Sequence, residues 1–173
     1  MWLLELLGIE KQDRTQNAPS SQTDTIRQIV RELDKLDVAQ ARYIACFAYL
    51  LSRVAHADLD IKEEEILRIE QIVMQVGGLP EEQAVLVTTM AKTHTELFGG
   101  TENFLVTREF NGIATREQKL NLIRCLFAVG AADGVISTVE DNEIIQIASE
   151  LNLERSEVGS IRVDFQEYLG VLK

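Results

Sequence analysis

The sequence predicts an all-α fold, a compact bundle of about seven helices built from two pseudo-symmetric repeats. Three observations carry that prediction. Apolar residues recur at intervals of three and four from Asp24 onward, no segment sustains the alternation of a half-buried strand, and a shift of 75 residues lays one half of the chain over the other. With 173 residues, of which 46% are apolar, the chain can bury a core of its own.

Residues 1–10 read as a short amphipathic segment, with Trp2, Leu3, Leu4, Leu6, Leu7 and Ile9 on either side of Glu5. It lacks a positive n-region and its apolar stretch is interrupted, so it is a poor signal peptide, and the expectation is a helix tucked onto the main body or a frayed end. Residues 11–23 are polar and aperiodic and hold Pro19, which marks a linker. The helical domain then covers residues 24–173.

Within it, Tyr43, Phe47, Leu50, Leu51 and Val54 share one helical face. The same spacing groups Ile66, Ile69, Ile72, Val73 and Val76, then Leu120, Ile123, Leu126, Phe127 and Gly130, then Ile144, Ile147, Ala148 and Leu151. Gly77-Gly78, Gly99-Gly100 and Asn111-Gly112 read as stops, Pro80 with Glu81 and Glu82 opens a helix, and Thr115 caps another. The 75-residue shift places nine identities within 22 positions, from Leu51 and Leu126 to Ile72 and Ile147. Asp58 matches Asp133 and Glu65 matches Glu140, so the match extends beyond the apolar stripe. The repeats lie at about residues 41–90 and 116–168, too long a period for a solenoid unit.

Composition narrows the function. The formal net charge is −11, which argues against nucleic acid and anionic lipid as partners and favours cations or basic protein segments. Residues 58–70 carry six acids and two bases, and residues 133–150 carry five acids and no base, so two short stretches hold −9 of the −11. Cys46 and Cys125 sit in apolar runs as small buried hydrophobes, and no stretch approaches the roughly 20 apolar residues of a membrane span, so a cytoplasmic protein without membrane insertion is expected. The two histidines, His56 and His94, belong to no His-Glu-x-x-His or Glu-x-x-His pattern, and no Gly-rich loop follows a strand. Catalytic machinery and an organic cofactor are not expected.

The acidic stretches begin at two connectors, His56 to Glu65 and Ala131 to Glu140, each with an Asp at the end of one helix and a Glu seven residues later. Carboxylates at a tight corner supply hard oxygen ligands suited to calcium, magnesium or manganese. A standard EF-hand is excluded, because Val129 and Ala131 would occupy its first and third ligand positions and Val54 and His56 the same places in the first connector. Capping competes with ligation for some of these groups: Ser137 with Glu140, and Asp60 with Glu63, have capping-box spacing. Asp58 and Asp133 fit capping less well, since an acid at a helix C-terminus faces the unfavourable end of the dipole.

The repeated Ala-Asp-(Gly)-x-Ile-x-x-x-Glu corner, the approach Leu122 to Val129 and the run Ile147 to Arg155 resemble the TerB-like family of tellurite-resistance proteins. The resemblance covers about residues 24–168. It implies an all-helical fold with internal pseudosymmetry, a metal-ion-binding acidic surface and association with membrane-linked metal-stress complexes. That domain also occurs joined to a J domain in a membrane-anchored co-chaperone. Carried over by position, it points to Asp58 and Glu65 in the first corner and Asp133 and Glu140 in the second. The first corner departs from the pattern at Leu59 and Lys62, where Asp60 offers a compensating carboxylate.

The expected function is a non-enzymatic module that binds a divalent cation (calcium, magnesium, manganese or zinc) through Asp58, Asp60, Glu65, Asp133 and Glu140. The alternative is a metal-independent adaptor or co-chaperone-type module that docks a basic protein segment on the same acidic surface.

Overall fold

The computed structural model describes residues 20–55, 62–93 and 103–172. These form eight α-helices: α1 Ser20–Asp34, α2 Val38–Ala55, α3 Glu63–Gln75, α4 Glu81–Lys92, α5 Asn103–Ile113, α6 Arg116–Gly130, α7 Thr138–Glu150 and α8 Arg155–Asp164. Short 3-10 turns follow at Ala131–Asp133, Gln166–Tyr168 and Gly170–Leu172. Among the described residues there is no strand; an isolated parallel bridge joins Ile136 to Leu169, with Ile136 N–H donating to Tyr168 at 2.7 Å and Gly170 N–H donating to Ile136 at 2.8 Å. The end of the chain is thereby tied to the second acidic corner.

Two expected boundaries move. α1 starts at Ser20, so residues 20–23 belong to a helix and not to the linker expected over 11–23; serine and threonine are well tolerated in the opening turn. α5 runs through Asn111-Gly112 to Ile113, where Ala114 N–H donates to the Phe110 carbonyl at 2.9 Å, and Asn111 Nδ2 donates to the Glu150 carbonyl at 2.8 Å, tying this end of α5 to α7. The break falls instead before Thr115, whose hydroxyl accepts from Gln118 N–H at 3.1 Å while Gln118 Oε1 accepts from Thr115 N–H at 2.8 Å. Gly99-Gly100 and the segment 1–10 lie outside the described residues.

The helix bounds repeat the sequence offset. α3 begins at Glu63 and α7 at Thr138, they end at Gln75 and Glu150, and α2 and α6 end at Ala55 and Gly130. Both second helices close on a left-handed residue, Gly78 at φ 72° and Asn152 at φ 59°. The halves also interlock reciprocally, since α3 packs against α6 while α7 packs against α2.

α2 lies at the centre. Every residue from Ile44 to Val54 is buried, and the helix packs on α4, α5, α6 and α7, as expected of a helix apolar on all sides. Phe47, Phe110 and Phe127 are the largest wholly buried side chains. Tyr43 stacks on Phe110 with ring centroids 5.5 Å apart, and Phe127 stacks on Phe165 at 5.6 Å. Cys46 and Cys125 are buried free thiols, each pushed up to about 12 chiefly by burial, which leaves them protonated and inert.

Candidate functional site

The second acidic corner is the one described in full. α6 ends at Gly130, the 3-10 turn Ala131–Asp133 follows, and Gly134 takes a left-handed φ of 99° that turns the chain back toward α7. The exposed Asp133 folds over this turn, where its Oδ1 accepts from Val135 N–H at 3.1 Å. Ser137 caps α7 through a reciprocal pair: its hydroxyl accepts from Glu140 N–H at 3.1 Å and Glu140 Oε1 accepts from Ser137 N–H at 3.1 Å. The other Glu140 oxygen, Oε2, turns back over the end of α6, 3.2 Å from where a Cβ on Gly130 would stand. The missing side chain at position 130 makes room for that carboxylate.

In the first corner Glu65 plays the same part, with Oε2 accepting from Lys62 N–H at 3.3 Å. The lysine ammonium has no lone pair with which to return the bond, so this cap has one arm where Ser137 and Glu140 have two. Asp58 and Asp60 lie outside the described residues, as does His56. The structure thus brings Asp133 and Glu140 to one corner and sets both glutamates on helix caps. Among the described residues, no three His, Cys, Asp or Glu side chains converge as a metal-ion site.

Electrostatics at the second corner differ from the local sequence charge. Arg53, with a side chain only 4% exposed, donates from Nε to Glu143 at 2.6 Å and from Nη1 to Glu150 at 2.9 Å. Burial opposes the Arg53 charge, yet hydrogen bonds to Glu150 and Glu143 outweigh it and hold the guanidinium pKa above its ordinary value. Burial likewise raises the Glu150 carboxyl, but Arg53, with help from Gln146 and Thr107, brings it below the usual carboxylate range. Asp141, itself 4% exposed, is gripped by both arms of Arg162, Nε at 3.0 Å and Nη2 at 2.8 Å. Arg68 of α3 donates to the Ala132 carbonyl beside Asp133.

Three of the five carboxylates in residues 133–150 are therefore held by arginines from elsewhere in the chain. Those pairs set two arginines on three of the five acids, which lowers the local excess from −5 to −3, and Arg68 adds a further positive charge at the corner. Sequence reasoning missed these arginines. Arg53 had a visible signal, a charge inside the apolar run Leu50-Leu51-Ser52-Arg53-Val54, whereas Arg68 and Arg162 had none, because their partners lie across helix contacts.

Chemically, the corner offers carboxylate oxygens to a hard cation or to a basic side chain, with one oxygen of each glutamate committed to a helix cap. A family model described as "Tellurite resistance protein TerB" matches residues 43–163. That stretch holds both corners and the helices on either side of each. No curated protein and no solved structure matches the chain.

Proposed function

Because this chain belongs to the TerB family of tellurite-resistance proteins, we propose that it is a non-enzymatic module whose acidic corners bind a divalent cation in a tellurite or metal-stress response. The observation that carries this reading is the duplicated Asp-to-Glu corner inside the matched stretch, Asp58 with Glu65 and Asp133 with Glu140. Hard oxygen donors at a helix-to-helix turn suit calcium, magnesium, manganese or, less specifically, zinc. In the second corner the exposed Asp133 and Glu140 are the groups to hold it, and Asp58, Asp60 and Glu65 serve the first. The cation supplies charge neutralisation at the corner, which alters how the surface meets a partner.

The test is thermal unfolding with each of the four ions at millimolar concentration. A bound ion raises the midpoint by mass action, about 2.7 kcal/mol at a hundredfold excess over its Kd. The double substitution Asp58→Asn with Asp133→Asn is expected to abolish the rise. A wild-type midpoint indifferent to all four ions overturns the reading.

One observation favours a second reading, an adaptor that docks a basic segment without metal. Arg68 already sits at the Ala132 carbonyl, so one guanidinium is accommodated beside Asp133. A basic segment, for instance of a membrane-associated complex, would extend that arrangement over the exposed Glu63 and Glu64. Its mark is capture of a basic partner that survives chelator and is lost with the same double substitution. Among the described residues no helix is long and apolar enough to cross a membrane, and we place the protein in the cytoplasm on that reading of its partners.

A further inference from the structure

The two repeats present different outer faces on their second helices. α3 turns Ile69 and Val73 to the core, and on its opposite side Leu67, Gln71 and Met74 form a ridge along the helix. Leu67 is 69% exposed, more than any other large apolar side chain among the described residues, and Met74 is exposed beside it. Glu64 and Glu70 flank the ridge, while Glu63 is already paired with Lys92. At the positions 75 residues on, α7 carries Asn142 for Leu67, Ile145 for Glu70 and Ser149 for Met74. There the surface is recessed. Between α7 and α8 runs an open groove of about 440 Å³ with Ile145, Ala148, Leu153 and Val158 as its apolar lining. Ile145 is 43% exposed, and Gly159 leaves the floor open, since a Cβ there meets nothing within 4 Å. Among the described residues no carboxylate lines this groove, on a chain of net charge −11. Its available positive charge is the exposed Arg155, which holds no ion pair among the described residues, whereas Arg162 is committed to Asp141.

We infer that the α7/α8 groove is the docking site for the α3 ridge of a second copy of this chain. The groove between two packed helices is the shape that receives a third, and Leu67 and Met74, about 10 Å apart along α3, are the apolar knobs to fill it. Their burial removes from water the side chain that the fold leaves most exposed. Glu64 and Glu70 bring to Arg155 the sign of charge that the groove itself lacks. The groove between α1 and α4 is a poorer seat for the same ridge, because Glu32, Glu81 and Glu82 line it. Ridge and groove belong to different repeats, so the contact is heterologous, and every copy offers one of each. A single helix in a single groove is a small interface, which makes the association weak and concentration-dependent. The inference is independent of any metal at the acidic corners.

Sedimentation velocity of the full chain over a concentration series, with chelator present to exclude metal bridging, tests the contact. The expected result is a weight-average mass that rises above the monomer as concentration increases. Two substitutions outside the core spoil opposite sides of the contact. Leu67→Glu removes the ridge and leaves the groove, and Gly159→Glu places a carboxylate in the groove and leaves the ridge. Each variant alone is expected to stay monomeric where the wild type associates, with its far-UV circular dichroism unaltered. A 1:1 mixture of the two is expected to form a heterodimer and grow no further, because one intact ridge and one intact groove remain. A wild type that is monomeric throughout overturns the inference, as does self-association that survives in either variant. A mixture that stays monomeric overturns it too, by showing that the two substitutions do not face each other across one contact.

Discussion

At the scale of the residue, Arg53 is the buried cation that ties α2 to α7. Its guanidinium is almost wholly buried, and two carboxylates of α7 close around it. Removing one member of such a set costs more than the set contributes, because the remaining charges lose their partner while still partly desolvated. Glu143 and Glu150 keep a quarter or more of their side-chain surface exposed, so water recovers part of that loss. Arg53→Met is therefore expected to cost about 2–3 kcal/mol, measured as the shift in a urea midpoint at neutral pH. The pH dependence follows from Glu150. Its folded pKa is depressed below 4.5, so the stability it contributes is fully present above the unfolded value and is lost as pH falls through the folded one. Between neutral pH and the acid transition, wild type is expected to lose stability more steeply than Arg53→Met, which lacks the pairing that depresses the carboxyl. Parallel acid profiles for the two proteins would show that the pairing contributes nothing to folding.

At the scale of the element, the ends of α3 and α7 are a matched pair solved with different residues. Both need a left-handed backbone to reverse the chain, and Gly78 adopts φ 72° without a Cβ penalty while Asn152 adopts φ 59° as one of the few side chains that tolerate it. A Cβ on Gly78 meets nothing within 4 Å, so any loss on substitution comes from backbone strain and not from crowding. Gly78→Ala is expected to lower stability by about 1–2 kcal/mol, and Asn152→Gly to change it by only a few tenths. Chemical denaturation of the two variants side by side measures the contrast. Equal effects would mean that the two helix ends do not carry the same strain.

At the scale of the whole molecule, one hydrophobic cluster runs from Ile29 of α1 through α2, α4 and α6 to Leu169, and it includes residues of both repeats. Each second helix packs against the other half's first, α3 on α6 and α7 on α2, with Arg68 and Glu143 reaching across at equivalent places. Neither half can then open without exposing the other's core. Unfolding is expected as one cooperative transition, with far-UV circular dichroism and tyrosine fluorescence coinciding and the calorimetric enthalpy equal to the van't Hoff value. Two separated transitions would show that the repeats fold as independent units.

Helix type, helix spacing and the duplication were legible in the sequence because they are written in local periodicity and in side chains repeated at a constant offset. Ser137 and Glu140 were legible as a cap for the same reason, their partners being three residues apart. What the residue string alone could not decide is which charges remain available to a ligand. Counted along the chain, residues 133–150 hold five unopposed acids, yet the folded protein sets Arg53 on Glu143 and Glu150, Arg162 on Asp141, and Arg68 beside Asp133. Those pairings join residues 21 to 97 positions apart, and only helix packing brings them within hydrogen-bonding distance. Charge composition is additive along a sequence, but electrostatic potential at a site falls with distance in space, so the tertiary structure alone determines how much of the −11 each corner presents.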